Sequence, residues 1–175
     1  MFVRDLDAIR ALILEAKEIR WEKQKKFLET YKSPLIVYKM NIPSWPKMSP
    51  VILHAFLYSF IDFTKKLTDF ELDFRIVELS HSLAGPEAFL IANQDAETLK
   101  KLSIEFEEHH HIGRFFDIDI IDFSGKIIER KIKRKCFLCD EQAFVCMRNQ
   151  THNSEEIKTY FNENILSYLE TKKQQ

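Results

Sequence analysis

Between Arg114 and Ile121 the chain reads Arg-Phe-Phe-Asp-Ile-Asp-Ile-Ile, an alternation that suits an extended strand and not a helix. A two-residue period puts Asp117 and Asp119 on one face, with Phe116, Ile118 and Ile120 on the other as core anchors. The fold must therefore contain a sheet with one strongly apolar face. The 15 phenylalanines supply material for that core, whereas only 3 glycines argue against a glycine-rich dinucleotide-binding loop.

Other segments can be placed by period and punctuation. Phe2, Leu6, Ile9, Ile13, Ala16 and Ile19 recur every three or four residues, which predicts an amphipathic helix from Asp5 to about Thr30. Ser33-Pro34 ends it, and Leu35 to Ile42 reads as a buried strand. Pro43, Pro46 and Pro50 make an ordered loop, with Ser49 capping a helix that Pro50 opens and that runs to about Leu67. That helix is apolar nearly all round, so packing on several sides is expected. A strand over Leu72 to Leu79, a loop at 81–86 and a short strand Ala88 to Ile91 follow. Asp95 caps the next helix, which carries Leu99, and Ile104 with Phe106 reads as a further strand. Gly125 is expected to turn the acidic strand into another over Lys126 to Lys133, and a C-terminal helix covers 154–170. The fold class predicted is α+β or mixed α/β. It is one compact domain over 1–175, with a largely antiparallel or mixed sheet covered by helices, because several strand pairs lack the long connections of parallel crossovers.

Charge is balanced, 26 Lys and Arg against 27 Asp and Glu, so neither nucleic acid nor an anionic membrane is an expected partner. No secretory signal is read in the first residues, and Met48 to Ile61 is short for a membrane span. A cytoplasmic location is expected, in keeping with Cys136, Cys139 and Cys146, an odd-numbered cluster and not a disulfide framework.

Asp117 and Asp119 are candidate Mg²⁺ ligands through hard carboxylate oxygens, and an exposed acidic edge is the alternative. Immediately before them, Gly113 permits close backbone approach and Arg114 offers a forked phosphate donor. Six basic residues lie between Lys126 and Lys135. On a strand Arg130 and Arg134 would share a face and meet one anion, or else form a solvated edge. Cys136, Cys139, Cys146 and His152 offer a zinc ligand set, and ordinary buried thiols fit the same spacing.

Gly85-Pro-Glu-Ala-Phe89, the tract His110 to Ile120, and Arg134 to Cys139 with Cys146, Arg148 and His152 together resemble the citrate lyase holo-acyl-carrier-protein synthases. These are the apo-citrate lyase phosphoribosyl-dephospho-coenzyme A transferases. The likeness runs from the first helix to about Glu156 and includes Arg20, Gln24, Asn41-Ile-Pro43 and Lys47. The chain departs from the family pattern at Ser44, Trp45, Ala84 and His111.

The resemblance implies that triphosphoribosyl-dephospho-coenzyme A is the donor and a serine of the citrate lyase acyl carrier subunit the acceptor, with pyrophosphate released. It implies that Asp117 and Asp119 carry Mg²⁺, that Arg114 steadies the triphosphate and that His110 positions or deprotonates the hydroxyl. Gly85, Gly113, Lys47, Arg130, Arg134 and Arg148 then serve donor binding. A phosphoryl-transfer enzyme with another substrate, or a non-catalytic carrier-binding or assembly protein, are the competing readings.

Overall fold

A computed structural model describes residues 6–43 and 45–174; Phe2, Asp5 and Ser44, which figure in the expectations above, lie outside them. The element order is α1 (Leu6–Tyr31), β1 (Leu35–Met40), α2 (Pro50–Asp69), β2 (Phe74–Ser82), β3 (Gly85–Ala92), α3 (Ala96–His109), a 3-10 turn (Gly113–Phe115), β4 (Phe116–Ile121), α4 (Ala143–Asn149) and α5 (Ser154–Lys173). The strands form one sheet in the order β2-β3-β1-β4, antiparallel at every pairing. The expected α+β class and antiparallel sheet are found.

Local chemistry starts three of the helices. The Ser49 hydroxyl accepts the Ile52 N–H (3.2 Å) ahead of Pro50, and Asp95 accepts the Thr98 N–H (2.9 Å). At α5, Asn153 and Glu156 satisfy each other's backbone donors as a capping box.

The two faces of the sheet bury different things. On one, Tyr38 of β1, Leu90 of β3 and Phe116, Ile118 and Ile120 of β4 meet Phe56, Phe60 and Phe63 of α2, Leu99 and Phe106 of α3 and Phe161 and Ile165 of α5. Tyr38 is fully buried, and its hydroxyl donates to Ser59 (2.9 Å). On the other face α1 covers only part of the sheet, setting Leu28 and Phe27 against Leu35, Val37, Phe89 and Ile121. The rest of that face is polar.

Three expectations need correction. Ile104 and Phe106 belong to α3, because Leu99, Leu102, Ser103 and Phe106 continue a helical stripe into the core. Lys126 to Lys133 forms no strand beyond one bridge, Ile127 with Ile121; the segment has no continuous apolar side, and its Arg130 is drawn to Glu107 and Glu108 of α3. Helix α2 buries one side only, leaving Val51, Tyr58 and Ile61 exposed. Among the described residues no helix is long and apolar enough to cross a membrane.

Candidate active site

The polar part of the second face is a row of side chains running straight across the sheet. Ser80 of β2 is paired with Glu87 of β3, Glu87 with Lys39 of β1, and Lys39 with Asp117 of β4, so all four project on one side. The Lys39 ammonium lies 2.9 Å from Asp117 Oδ2 and 2.6 Å from Asp119 Oδ2, and its side chain is only 12% exposed. Burial alone would lower the lysine pKa, but the two carboxylates outweigh it and hold it above the ordinary value. Burial likewise opposes ionisation of Asp117, and attraction to Lys39 and Arg134 overcomes it and brings that pKa down. The expected common face of Asp117 and Asp119 is thus present, with a cation already between them. Glu87, nearly buried, is held by Arg20 from α1 and by Ser80 (3.3 Å).

Gly85 and Lys47 sit at the same end of the sheet. Gly85 opens β3 at φ +107°, and a Cβ there would meet Ile42 Cδ1 at 3.2 Å and the Lys47 carbonyl at 3.5 Å. The Lys47 ammonium donates to the Ile42 carbonyl (2.5 Å), and burial, aided by repulsion from Lys17, lowers its pKa.

Beyond β4 lies a cleft of about 230 Å³ lined by Gly113, Arg114, Arg130, Ile132, Lys133, Arg134 and Lys135, with Glu107 and Glu108. Arg134 joins this cleft to the carboxylates. Its guanidinium donates to the Phe116 carbonyl (2.8 Å), Asp117 Oδ1 (3.3 Å) and Glu107 Oε1 (2.6 Å). Glu107 also accepts the Ile118 N–H (3.1 Å), and burial raises its pKa against the pull of Arg134. Glycine is required at 113, since a Cβ would run into the Glu107 carbonyl. Arg130 and Arg134 therefore converge on Glu107 of α3, without the expected strand.

His110 lies on the other side of the sheet. Its ring packs on Phe106 (4.8 Å between centroids) and Phe116 (4.9 Å), both members of the aromatic core. Nδ1 accepts the Ile112 N–H (3.2 Å), which puts the ring proton on Nε2, facing Asp62 (3.0 Å). Tyr168 and Lys172 of α5 also donate to Asp62, at 2.7 and 2.8 Å. Both ring nitrogens are engaged, and the carboxylate face is not within their reach.

Cys136, Cys139, Cys146 and His152 come together. Their ligand atoms lie within 4.8 Å of one another, with Cys139 Sγ 3.4 Å from Cys146 Sγ and 3.3 Å from His152 Nε2. A tetrahedron of ~2.3 Å zinc–sulfur bonds has edges of roughly 3.7 Å, so this soft donor set needs little contraction. Arg148 is exposed on α4, which also supplies Cys146, and lies outside the lining of the basic cleft.

Lys39, Glu107 and Asp62 are the functional candidates that the sequence reading did not single out. Lys39 had a signal, a lone charge in the otherwise apolar strand Leu35–Met40. Glu107 had one too, an acid four residues from Ser103 on the buried stripe of α3.

The chain is 29% identical over 161 residues to a probable apo-citrate lyase phosphoribosyl-dephospho-CoA transferase of Vibrio cholerae serotype O1 (strain ATCC 39315 / El Tor Inaba N16961), covering 87% of this chain and 89% of the relative. It is 28% identical over 149 residues to the enzyme of that name from Escherichia coli (strain UTI89 / UPEC), covering 83% and 81%. The Citrobacter koseri enzyme (strain ATCC BAA-895 / CDC 4225-83 / SGSC4696) is 28% identical over 144 residues, 80% of this chain and 79% of the relative. The family model described as apo-citrate lyase phosphoribosyl-dephospho-CoA transferase matches residues 9–168, and the chain belongs to that family.

Proposed function

We propose that the carboxylate row and the adjoining basic cleft are the site at which this chain, a transferase, attaches phosphoribosyl-dephospho-coenzyme A to apo-citrate lyase. The donor is triphosphoribosyl-dephospho-coenzyme A and the acceptor a serine of the acyl carrier subunit. The hydroxyl oxygen bonds to the α-phosphorus and gives its proton to solvent. The bond from that phosphorus to the bridging oxygen breaks, and pyrophosphate leaves with the electron pair.

The observation that carries this reading is the double engagement of Arg134, which touches Asp117 on one side and lines the cationic cleft on the other. A triphosphate lying in the cleft against Arg114, Arg130 and Arg134 would place its phosphates beside the acids that Arg134 contacts. Guanidinium forks suit such phosphates. Asp117 and Asp119 supply hard oxygens suited to Mg²⁺, which binds through one or two carboxylates together with substrate phosphates. When bound there, the ion would neutralise charge developing on the transferring group. Lys47 and Gly85, where β3 begins beside the row, are assigned to the coenzyme arm, and Arg148 to an outer phosphate contact. His110 is assigned a positioning role, holding the turn that leads to Arg114. The cysteine cluster is assigned a structural zinc ion. The unpaired state of all three thiols supports a cytoplasmic location.

The test is direct. Purified protein, Mg²⁺, donor and apo-carrier should give one prosthetic-group mass increment on a carrier serine, plus pyrophosphate. Asp117→Asn and Asp119→Asn should each lower turnover by at least about a hundredfold, since even outer-shell partners of a metal are worth ten- to a hundredfold. Unmodified carrier with verified donor and folded protein would defeat the assignment.

A further inference from the structure

We propose that Lys39 is a resident counter-ion that keeps free divalent metal off the Asp117–Asp119 pair until a polyphosphate donor arrives. The proposal rests on the metal reading above and adds a residue and an order of binding to it.

Three observations support it. First, the ammonium takes up the inner oxygens: Oδ2 of both aspartates contacts Lys39 Nζ, and Asp117 Oδ1 contacts Arg134. A small cation that prefers six oxygens and sheds water reluctantly gains little from what remains. Second, the local charge is already close to balanced, with Lys39, Arg134 and Lys100 set against Asp117, Asp119 and Glu107. A free divalent ion meets no net negative field there. A bound triphosphate changes the sum by several negative charges, and only then does the pocket favour added positive charge. Third, Lys39 has somewhere else to go. It stands on a central strand with Asp117 opposite it on β4 and Glu87 opposite it on β3. Neighbouring strands are about 4.8 Å apart. Rotation about the lysine's own bonds therefore carries the ammonium toward Glu87, whose two oxygens already accept from Arg20 and Ser80 and still have lone pairs for a further donor. An ion pair serving stability alone would need neither a second seat nor a place between two exposed-side acids.

Mn²⁺ titrated into donor-free protein and followed by the loss of its free-ion electron paramagnetic resonance signal reads the idea without any turnover. Wild type should bind weakly. Lys39→Met keeps the length and packing of the stem, removes the charge, and should bind Mn²⁺ at least tenfold more tightly. Lys39→Arg should stay close to wild type, and Lys39→Met combined with Asp119→Asn should lose the gain. Circular dichroism establishes that each variant is folded, and Lys39→Gln replaces the methionine variant if that one is not. Unchanged Mn²⁺ affinity on removing the charge, or tight binding by donor-free wild type, overturns the proposal. Failure of the underlying reading has a different signature: full transfer by Asp117→Asn and Asp119→Asn, whatever the titration gives.

Discussion

Replacing Arg134 with methionine tests whether the cleft and the carboxylate row are one electrostatic unit. The guanidinium makes three polar contacts, of which the one to Glu107 (2.6 Å) reaches a side chain only 4% exposed. In Arg134→Met, Glu107 keeps the Ile118 N–H but loses its closest positive charge, and Arg130 Nε, 3.8 Å away, is too far to replace it. Breaking a fully buried pair costs about 3–5 kcal/mol, and a charge-assisted hydrogen bond is worth about 1.5–3 kcal/mol. Arg134 itself is 31% exposed, so water recovers part of the loss, and about 2 kcal/mol is expected. At about 3 °C per kcal/mol for a chain of this size, Tm should fall by about 6 °C. Adding Glu107→Gln removes the stranded charge and should return at least half of that. Transfer should remain poor in the double variant, because Asp117 still lacks its second cation. Thermal melts by circular dichroism and carrier-modification rates make the measurement. A melt within about 1 °C of wild type, or strictly additive losses in the double variant, would refute the argument.

Two further outcomes follow from the cysteine cluster and the His110 network. Protein purified without a metal-affinity tag should carry about one zinc, and its removal by a strong chelator should lower Tm, since metal binding is coupled to folding; a metal-free sample with an unchanged melt argues for plain buried thiols. Burial holds the His110 pKa below its ordinary value despite Asp62, so the unfolded chain takes up a proton there that the folded one refuses. Stability should therefore decline as pH falls below about 6.5. Burial opposes ionisation of Asp62, but bonds from Lys172, His110 and Tyr168 keep its pKa below the usual range. Its contribution is present above about pH 4 and is lost as pH falls through the lowered value. Tm measured from pH 7 to 3 should show both declines, and His110→Asn should flatten the first; a flat profile between pH 7 and 5 in wild type contradicts it.

What could be read from the sequence was whatever depends on neighbours along the chain. The alternation of β4 fixed the faces of Asp117 and Asp119 correctly, and the Ser49 and Asp95 caps act within three residues of themselves. Ile104 and Phe106 were ambiguous because a two-residue spacing between apolar groups also occurs on a helix whose stripe is wide. The charged segment after Gly125 does not pair as a strand because Arg130 is drawn to Glu107 and Glu108, about twenty residues earlier on another element. Lys39 could be noticed as a lone charge, but its importance depends on strand order: β1 lies between β3 and β4, and nothing local dictates that. The family resemblance places His110 at the attacking hydroxyl beside the aspartates, and its position only seven residues before Asp117 does nothing to oppose that. The 3-10 turn carries the chain around the end of the sheet in those few residues, so closeness along the chain became separation across it.

That separation gives the histidine a use consistent with its surroundings. Two adjacent strands of the site alternate between roles: Tyr38 and Lys39 on β1, Phe116 and Asp117 on β4. The residues facing the core are locked together, with Tyr38 and Phe116 rings 5.4 Å apart and Phe106 stacked on Phe116 at 5.3 Å. His110 closes that cluster against Phe116 and is itself held by Asp62, which α5 grips through Tyr168 and Lys172. A shift of Phe116 would tilt the backbone that carries Asp117 and Arg134's carbonyl partner. Phosphoryl-type transfer depends on placing charges to within about half an ångström. The network behind the sheet therefore serves the chemistry by fixing the strand, and a conservative His110→Gln should raise the requirement for donor and acceptor together while leaving the cleft's cations intact. An unchanged rate and unchanged donor affinity in that variant would show that the aromatic core alone suffices to hold β4.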